Sequence, residues 1–402
     1  MEEEIIKPTK QEMENLIGDN GLIRYYKKIK AILQKYMDMP QEHYSLIALW
    51  VMGTYLHKQF STYPYLFFNA MKGCGKTRIL RMIGSLAKNG YLVGSITEAV
   101  LFRDTQDKTL CIDEVEHLAS DEKKNLRNLL NAGYKKGLKV PRMVKVKDKW
   151  ESESFDIYCP VAMANIYGME NVLGDRAITF VLEKSNKREI TRKIERFENE
   201  DEMKMVRGGL FELTKNMLKD ADLFGSISDE WNLHVEHKEE EESKHNDLFL
   251  KIDKTDIESR NLELFLPLFI LADICGEDVL DEVIEFSISL VSKRKQQDME
   301  DNTDIQILNF VSKCPNSEFI AVEEIVKSLR NDLEYDDGQE KWFNSRFVGR
   351  ALRRLNLVTA SRNTNKRYVR LDIDKAKEKM VVFRTDEDNK EIEMQEMTKS
   401  SI

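Results

Sequence analysis

The residues predict an α/β protein built on a parallel sheet, with helices before and after the sheet and a smaller mixed module near the C-terminal end. Three observations carry that expectation. Between 61 and 184, short apolar β-favouring runs alternate with helix-like segments, the pattern of strand–crossover–strand units. Within it, the glycine loop Gly73-Cys74-Gly75-Lys76-Thr77 joins the strand-like run 65–69 to the helix-like run 78–87. A second run, 109–112, is apolar throughout and ends in Asp113-Glu114, as a buried parallel strand with carboxylates at its carboxyl end would.

The elements follow in order. Residues 1–60 read as helices; in 41–58 the residues Leu46, Ile47, Leu49, Trp50, Met52 and Leu56 recur at helical spacing behind Pro40. The core, 61–184, has candidate strands at 65–69, 91–95, 109–113, 157–164 and 177–182, with a helix capped by Ser120 and started by Asp121 and Glu122. Residues 185–298 read as helical, interrupted at 234–247 by an acidic surface loop around Glu239-Glu240-Glu241-Glu242. A compact module is expected at 303–372, and 384–402 reads as a polar, disordered tail.

Composition bounds the function. At 402 residues the chain is long enough for two or three domains, and 41% hydrophobic content supplies real cores. The net charge of −9 excludes a uniformly basic nucleic-acid binder, so the placement of cations matters more than their sum. The five cysteines, Cys74, Cys111, Cys159, Cys275 and Cys314, show no metal-ligand spacing and suit a reducing cytoplasm. The acidic start Met1-Glu2-Glu3-Glu4 is no signal peptide, and no apolar run approaches the ~20 residues of a membrane span.

The chemistry concentrates in two places. A strand–glycine loop–helix junction offers backbone N–H groups to a polyphosphate. There Gly73, Cys74 and Gly75 would cradle the phosphates of ATP, Lys76 would reach the β- and γ-phosphates, and Thr77 would hold Mg²⁺. The full loop pattern wants a glycine five residues before Gly75, and this chain has Ala70. Asp113 would complete the Mg²⁺ shell and Glu114 would activate water.

Cations cluster twice. Residues 135–149 hold Lys135, Lys136, Lys139, Arg142, Lys145, Lys147 and Lys149 against the single acid Asp148, and the alternation from Val140 onward suggests two extended arms. Such an arm would follow a phosphate backbone; the alternative is a solvated lysine-rich face. From Lys341 to Arg370 the cations are Lys341, Arg346, Arg350, Arg353, Arg354, Arg362, Lys366, Arg367 and Arg370, with no acid. A helix over 342–355, then strands at 357–360 and 367–370 around the turn Asn363-Thr364-Asn365, make a winged helix that would meet duplex DNA; a protein-binding winged helix is the alternative.

Two further pieces complete a resemblance. Pro160-Val161-Ala162-Met163-Ala164-Asn165 is an apolar run ending in asparagine, and Leu173-Gly174-Asp175-Arg176-Ala177 precedes the last strand. With 73–77 and 110–114, these resemble the AAA+ ATPase core with its P-loop. More closely, they resemble the helicase-like AAA+ ATPases of phages, plasmids and integrated mobile elements, distant relatives of the minichromosome maintenance and superfamily-three viral helicases. Residues 259–268, with Ala272-Asp273 and Gly276, resemble the helical lid of that group, so the likeness covers roughly 40–295. It implies that Asn165 is the polar sensor of the γ-phosphate, that Arg176 is an arginine finger for a neighbouring subunit, and that Arg260 is a lid-borne second sensor touching nucleotide. It also implies that the basic arm is a β-hairpin in the channel of a ring. Single-stranded DNA would then meet Lys139, Arg142, Lys145, Lys147 and Lys149, while duplex DNA meets Arg346, Arg350, Arg353, Arg354, Lys366 and Arg367. The resulting expectation is a cytoplasmic, homo-oligomeric, hexameric DNA translocase of prokaryotic or viral origin, a replicative helicase of a mobile element or virus. The rival is a DNA-binding AAA+ switch, an initiator or defence ATPase, that unwinds nothing. A protein-remodelling ATPase would need an aromatic–glycine pore loop, and none is read.

Overall fold

The computed structural model describes residues 21–94, 97, 107–113, 115, 123–146, 149–166, 168, 171–194, 197, 200–217, 223–236, 247–315, 318–333, 342–363 and 365–383. They divide between two compact units, Met1–Ser287 and Ile288–Ile402. The expected Ser120-capped start of a helix, most of the acidic loop and the C-terminal tail lie outside the described residues, as does Glu114.

The first unit begins with helices α1 (Leu22–Tyr36) and α2 (Gln41–Gly53). Pro40, with φ −54°, immediately precedes α2, whose residues from His43 to Gly53 are all buried. Trp50 Nε1 donates to the Pro64 carbonyl at 2.7 Å, and the Tyr63 hydroxyl donates back to the Trp50 carbonyl at 2.6 Å. These bonds fix α2 against the entry to strand β1 (Tyr65–Ala70).

From β1 the chain runs through α3 (Lys76–Leu86), β2 (Gly90–Val93), β3 (Thr109–Ile112) and α4 (Lys124–Gly133). A hairpin, β4 (Lys139–Val146) and β5 (Lys149–Asp156), precedes β6 (Val161–Asn165), the short α5 (Asn171–Gly174) and β7 (Ala177–Leu182). Five strands form one sheet in the order β2-β3-β6-β1-β7, every pairing parallel. A parallel sheet is covered on both faces, which is why β3 and β6 read as unbroken apolar runs; all residues of both are buried. On one face Tyr65, Phe67, Leu110, Ile112 and Met163 pack against Leu126, Leu129 and Leu130 of α4. On the other, α3 turns Ile79, Leu80, Ile83 and Leu86 inward. Gly84 and Gly90 permit that approach: a Cβ on Gly90 would fall 1.9 Å from the Gly84 carbonyl oxygen. Cys111 and Cys159 are small apolar core residues here, and burial pushes both thiols up to about 12.

Beyond the sheet the chain is helical: α6 (Arg188–Thr191), α7 (Asp201–Met217), α8 (Leu223–Glu236), α9 (Asp247–Asp253), α10 (Ser259–Cys275) and α11 (Glu277–Asp301). Residues 234–236, expected to open the acidic loop, instead finish α8. Lys30 of α1 and Ser45 of α2 both bond the Glu282 carboxylate, at 3.1 and 2.6 Å.

The second unit contains α12 (Thr303–Ser312), β8 (Phe319–Ala321), α13 (Val322–Asp332), α14 (Ser345–Arg354), β9 (Val358–Asn363), β10 (Arg367–Leu371) and α15 (Ile373–Met380). Its antiparallel sheet has the order β8-β10-β9 over a core including Ile307, Val311, Ile325, Phe343, Leu352, Val369 and Met380. The expected strands 357–360 and 367–370 appear as β9 and β10; β9 runs on to Asn363 at the turn, and β10 gains Leu371 at its far end; β8 was not expected. No helix among the described residues is long and apolar enough to cross a membrane.

Candidate functional site

The carboxyl ends of β1, β6 and β3 lie side by side. Register pairs Asn69 with Asn165 and Ile112 with Met163, so β6 lies between the strand feeding the glycine loop and the strand feeding Asp113. In open α/β sheets this edge is where ligands bind.

The loop is shaped by two left-handed glycines, Gly73 at φ +84° and Gly75 at φ +92°. Gly75 caps α3, and its carbonyl accepts from Ile79 N at 2.9 Å. A Cβ on Gly73 would meet nothing within 4 Å, so the space over the loop is open, whereas one on Gly75 would press Met37 Cε at 3.1 Å. Ala70 is the last residue of β1, paired with Leu182 and 5% exposed. Because it is an ordinary strand residue, the loop needs no glycine there.

Lys76 folds back over the loop, its Nζ donating to the carbonyls of Ala70 at 2.7 Å and Met71 at 3.3 Å. Thr77 Oγ1 donates to Asp113 Oδ2 at 2.6 Å. Asp113 is held by its own backbone, whose N–H donates to the Val93 carbonyl of β2 at 2.9 Å; two residues on, Val115 N donates to the Ala164 carbonyl of β6 at 3.3 Å. A hydroxyl and a carboxylate in contact form a hard oxygen pair of the kind Mg²⁺ takes alongside phosphate oxygens. The donor set fits the expected ion and nucleotide, and Cys74, 7% exposed, is buried within the loop.

Asn165 ends β6 buried, with its amide turned into its own loop: Nδ2 donates to the Gly168 carbonyl at 2.8 Å, and Oδ1 accepts from Ile166 N. These hydrogen bonds close the end of the strand on itself, while its place remains the gap between loop and carboxylate.

The two expected arginines sit elsewhere. Arg176 directly precedes β7 at the amino end of the sheet, its Nε donating to the Asn131 carbonyl at 2.9 Å and its Nη1 to that of Val172. Arg260 bonds the Tyr134 hydroxyl and Glu263 Oε2, and its Nε lies 4.0 Å from Asp175. Both guanidiniums lie over the Tyr134 ring, at 5.3 and 4.9 Å. Tyr134 is itself pinned by its carbonyl to Tyr63 N, just before β1. The six residues of β1 separate this cluster from the loop by roughly 20 Å. Within one chain, Arg260 is not brought to Lys76 as the expected nucleotide contact, because helix α10 packs its start against the α4 end. Tyr134, the residue joining both arginines, carried no signal in the sequence.

The hairpin corrects the charge reading. Its arms are 139–146 and 149–156, so the second arm brings Glu151, Glu153 and Asp156 into the ribbon. Register sets Lys139 against Asp156 and Arg142 against Glu153, leaving Lys145, opposite Trp150, and Lys149 toward the tip; Lys147 lies outside the described residues. Trp150 is 65% exposed.

On α14, Arg346, Arg350 and Arg353 form an exposed stripe at i, i+4, i+7, behind Asn344, which caps the N–H groups of Arg346 and Phe347. Arg354 is not part of it: its guanidinium clasps Asp304 at 2.6 and 3.1 Å. Lys366 reaches Glu323 at 3.8 Å, and Arg367 lies beside Gly349. No family model matches the chain, and no curated protein matches it.

Proposed function

We propose that this chain is a Mg²⁺-dependent AAA+ ATPase that forms a ring, as a hexamer, and moves along DNA in the cytoplasm of a prokaryote or of a virus-infected cell. The observation that carries the reading is the Thr77–Asp113 bond. Two motifs 36 residues apart meet in a 2.6 Å contact beside a left-handed glycine loop. An ordinary glycine turn has no reason to place a hydroxyl and a strand-end carboxylate together.

In this reading Lys76 leaves the Ala70 and Met71 carbonyls for the phosphates, which offer its ammonium a charged acceptor. Thr77 and Asp113 hold Mg²⁺, which when bound withdraws charge from the phosphate oxygens. Glu114 takes the proton of the attacking water, and Asn165 orients that water from between the two strands. Arg176 serves the nucleotide of a neighbouring subunit, since its own loop lies at the far end of the sheet. The hairpin tip contacts the single strand, and the C-terminal unit, a winged helix, sets Arg346, Arg350 and Arg353 of α14 against duplex DNA.

Forked-DNA unwinding tests the motor. Neutralising Lys145, Lys147 and Lys149 should abolish strand separation and DNA-stimulated hydrolysis while sparing duplex binding. The second reading, a DNA-bound switch, is favoured by the second arm, which sets Glu151, Glu153 and Asp156 in register with the cationic first arm. ATP hydrolysis and duplex binding without unwinding at any fork would select the switch.

A further inference from the structure

The C-terminal unit presents a second cationic surface, apart from the α14 stripe. Register pairs Arg370 with Phe319 and Tyr368 with Arg362, which puts these four side chains on one face of the β8-β10-β9 sheet. The alternate residues Val369 and Leu371, 1% and 2% exposed, face the core. On the outer face the Arg362 guanidinium lies over the Phe319 ring at 4.3 Å and the Tyr368 ring at 5.3 Å, and Arg370 lies over Phe319 at 4.9 Å. Both arginines are exposed and both rings are half-buried.

Neither guanidinium has a carboxylate partner among the described residues, although Arg354 and Lys366 of the same unit do. Strands β9 and β10 contain no acid. Ring contact restrains each arginine before any ligand arrives, so less rotamer freedom is lost on binding. The guanidiniums keep N–H groups for phosphate, and together with the rings they offer planes on which unpaired bases stack. Stacked duplex bases present only their edges, whereas a single strand can lay its bases on such planes.

We infer that Phe319, Tyr368, Arg362 and Arg370 form a platform for single-stranded nucleic acid, with bases on the rings and guanidinium planes and phosphates on the arginine N–H groups. The inference rests on the nucleic-acid partner proposed above and divides the labour within one unit: α14 takes duplex, the sheet face takes a single strand.

Photocrosslinking of the full-length chain, without ATP, tests it. The probe is an oligo(dT) of about 20 nucleotides carrying 5-bromodeoxyuridine. The expected result is a crosslink on Tyr368 or Phe319 with the single strand and none there with the same sequence as duplex. Arg362→Ala with Arg370→Ala should weaken single-strand binding roughly tenfold and remove the crosslink, while Arg346→Ala, Arg350→Ala and Arg353→Ala together should leave it. Arg362→Lys with Arg370→Lys keeps the charge and removes the planes, so full binding by that variant would overturn the stacking. Absence of the crosslink at saturating oligonucleotide, or an equal one with duplex, would overturn the platform. A chain that hydrolyses ATP but crosslinks elsewhere contradicts this inference alone; one that crosslinks at Tyr368 without hydrolysing ATP contradicts the ATPase alone.

Discussion

The Thr77 hydroxyl donates to the Asp113 carboxylate at 2.6 Å, joining the first turn of α3 to the end of β3. The contact exists because α3 packs tightly across β2 and β3, glycine against glycine at Gly84 and Gly90. If the pair is a metal seat, the hydroxyl matters for turnover more than for folding. Thr77→Val should lower Mg²⁺-dependent hydrolysis about a hundredfold or more, because metal stabilisation of phosphate charge is worth several kcal/mol. Thr77→Ser should stay within about tenfold of the parent. Steady-state phosphate release against Mg²⁺ concentration reads the difference; parental Mg²⁺ dependence in Thr77→Val would remove the metal role.

Arg176 lies at the opposite end of the sheet from Lys76, so the proposed arginine finger would serve the nucleotide of another subunit. Arg176→Ala should bind ATP normally and lose roughly a thousandfold in hydrolysis. Mixed with Lys76→Ala protein, it should regain partial activity through interfaces that pair an intact lysine with an intact arginine. Mixtures as dead as either parent, with subunit exchange demonstrated, would refute the finger.

Arg260 makes its bonds to Tyr134 and Glu263, both far from the loop. The arginine is about a third exposed, so solvent weakens the pair. Arg260→Ala should lower unfolding stability by about 1 kcal/mol and leave ATP affinity unchanged under conditions where the chain is monomeric. A tenfold loss of monomer affinity by calorimetry would instead restore a contact within the same chain.

His57, 2% exposed, donates Nδ1–H to the Thr54 carbonyl at 2.8 Å, a tautomer assigned from that partner. Burial holds its pKa down to about 4 from 6.5; the bond to the Thr54 carbonyl opposes the shift, Lys88 and Lys58 add to it, and Asp107 opposes it more weakly. Between those values the unfolded chain binds a proton that the folded chain refuses. The stability contribution is therefore complete above pH 6.5 and is lost as pH falls toward 4, by up to about 3 kcal/mol. Urea midpoints from pH 7 to 4 should show this slope, and His57→Asn, which keeps the bond to Thr54, should flatten it.

The strands were legible where burial is two-sided. β1 and β3 match their apolar runs within a residue, because a parallel strand covered on both faces announces itself by composition. Residues 157–160 misled: they are buried but outside the ladder, Tyr158 spending its hydroxyl on the carbonyls of His57 and Phe60. The second hairpin arm hid for the converse reason. In Glu151-Ser152-Glu153-Ser154 nothing apolar alternates, since that ribbon pairs only with β4. The loop, Lys76, Thr77 and Asp113 were legible as motifs. The arginine cluster was not, because Arg260 and Tyr134 are 126 residues apart and no spacing rule joins them.

Phosphate release from Mg²⁺–ATP by the purified chain, beside Lys76→Ala and Glu114→Gln, tests the nucleotide site most directly. The expected result is turnover by the parent and none by Lys76→Ala, which loses the ammonium now held on the Ala70 and Met71 carbonyls. Glu114→Gln should bind ATP and not release phosphate. Turnover by Lys76→Ala at the parental rate, or a parent that binds no ATP at millimolar concentration, would contradict the site.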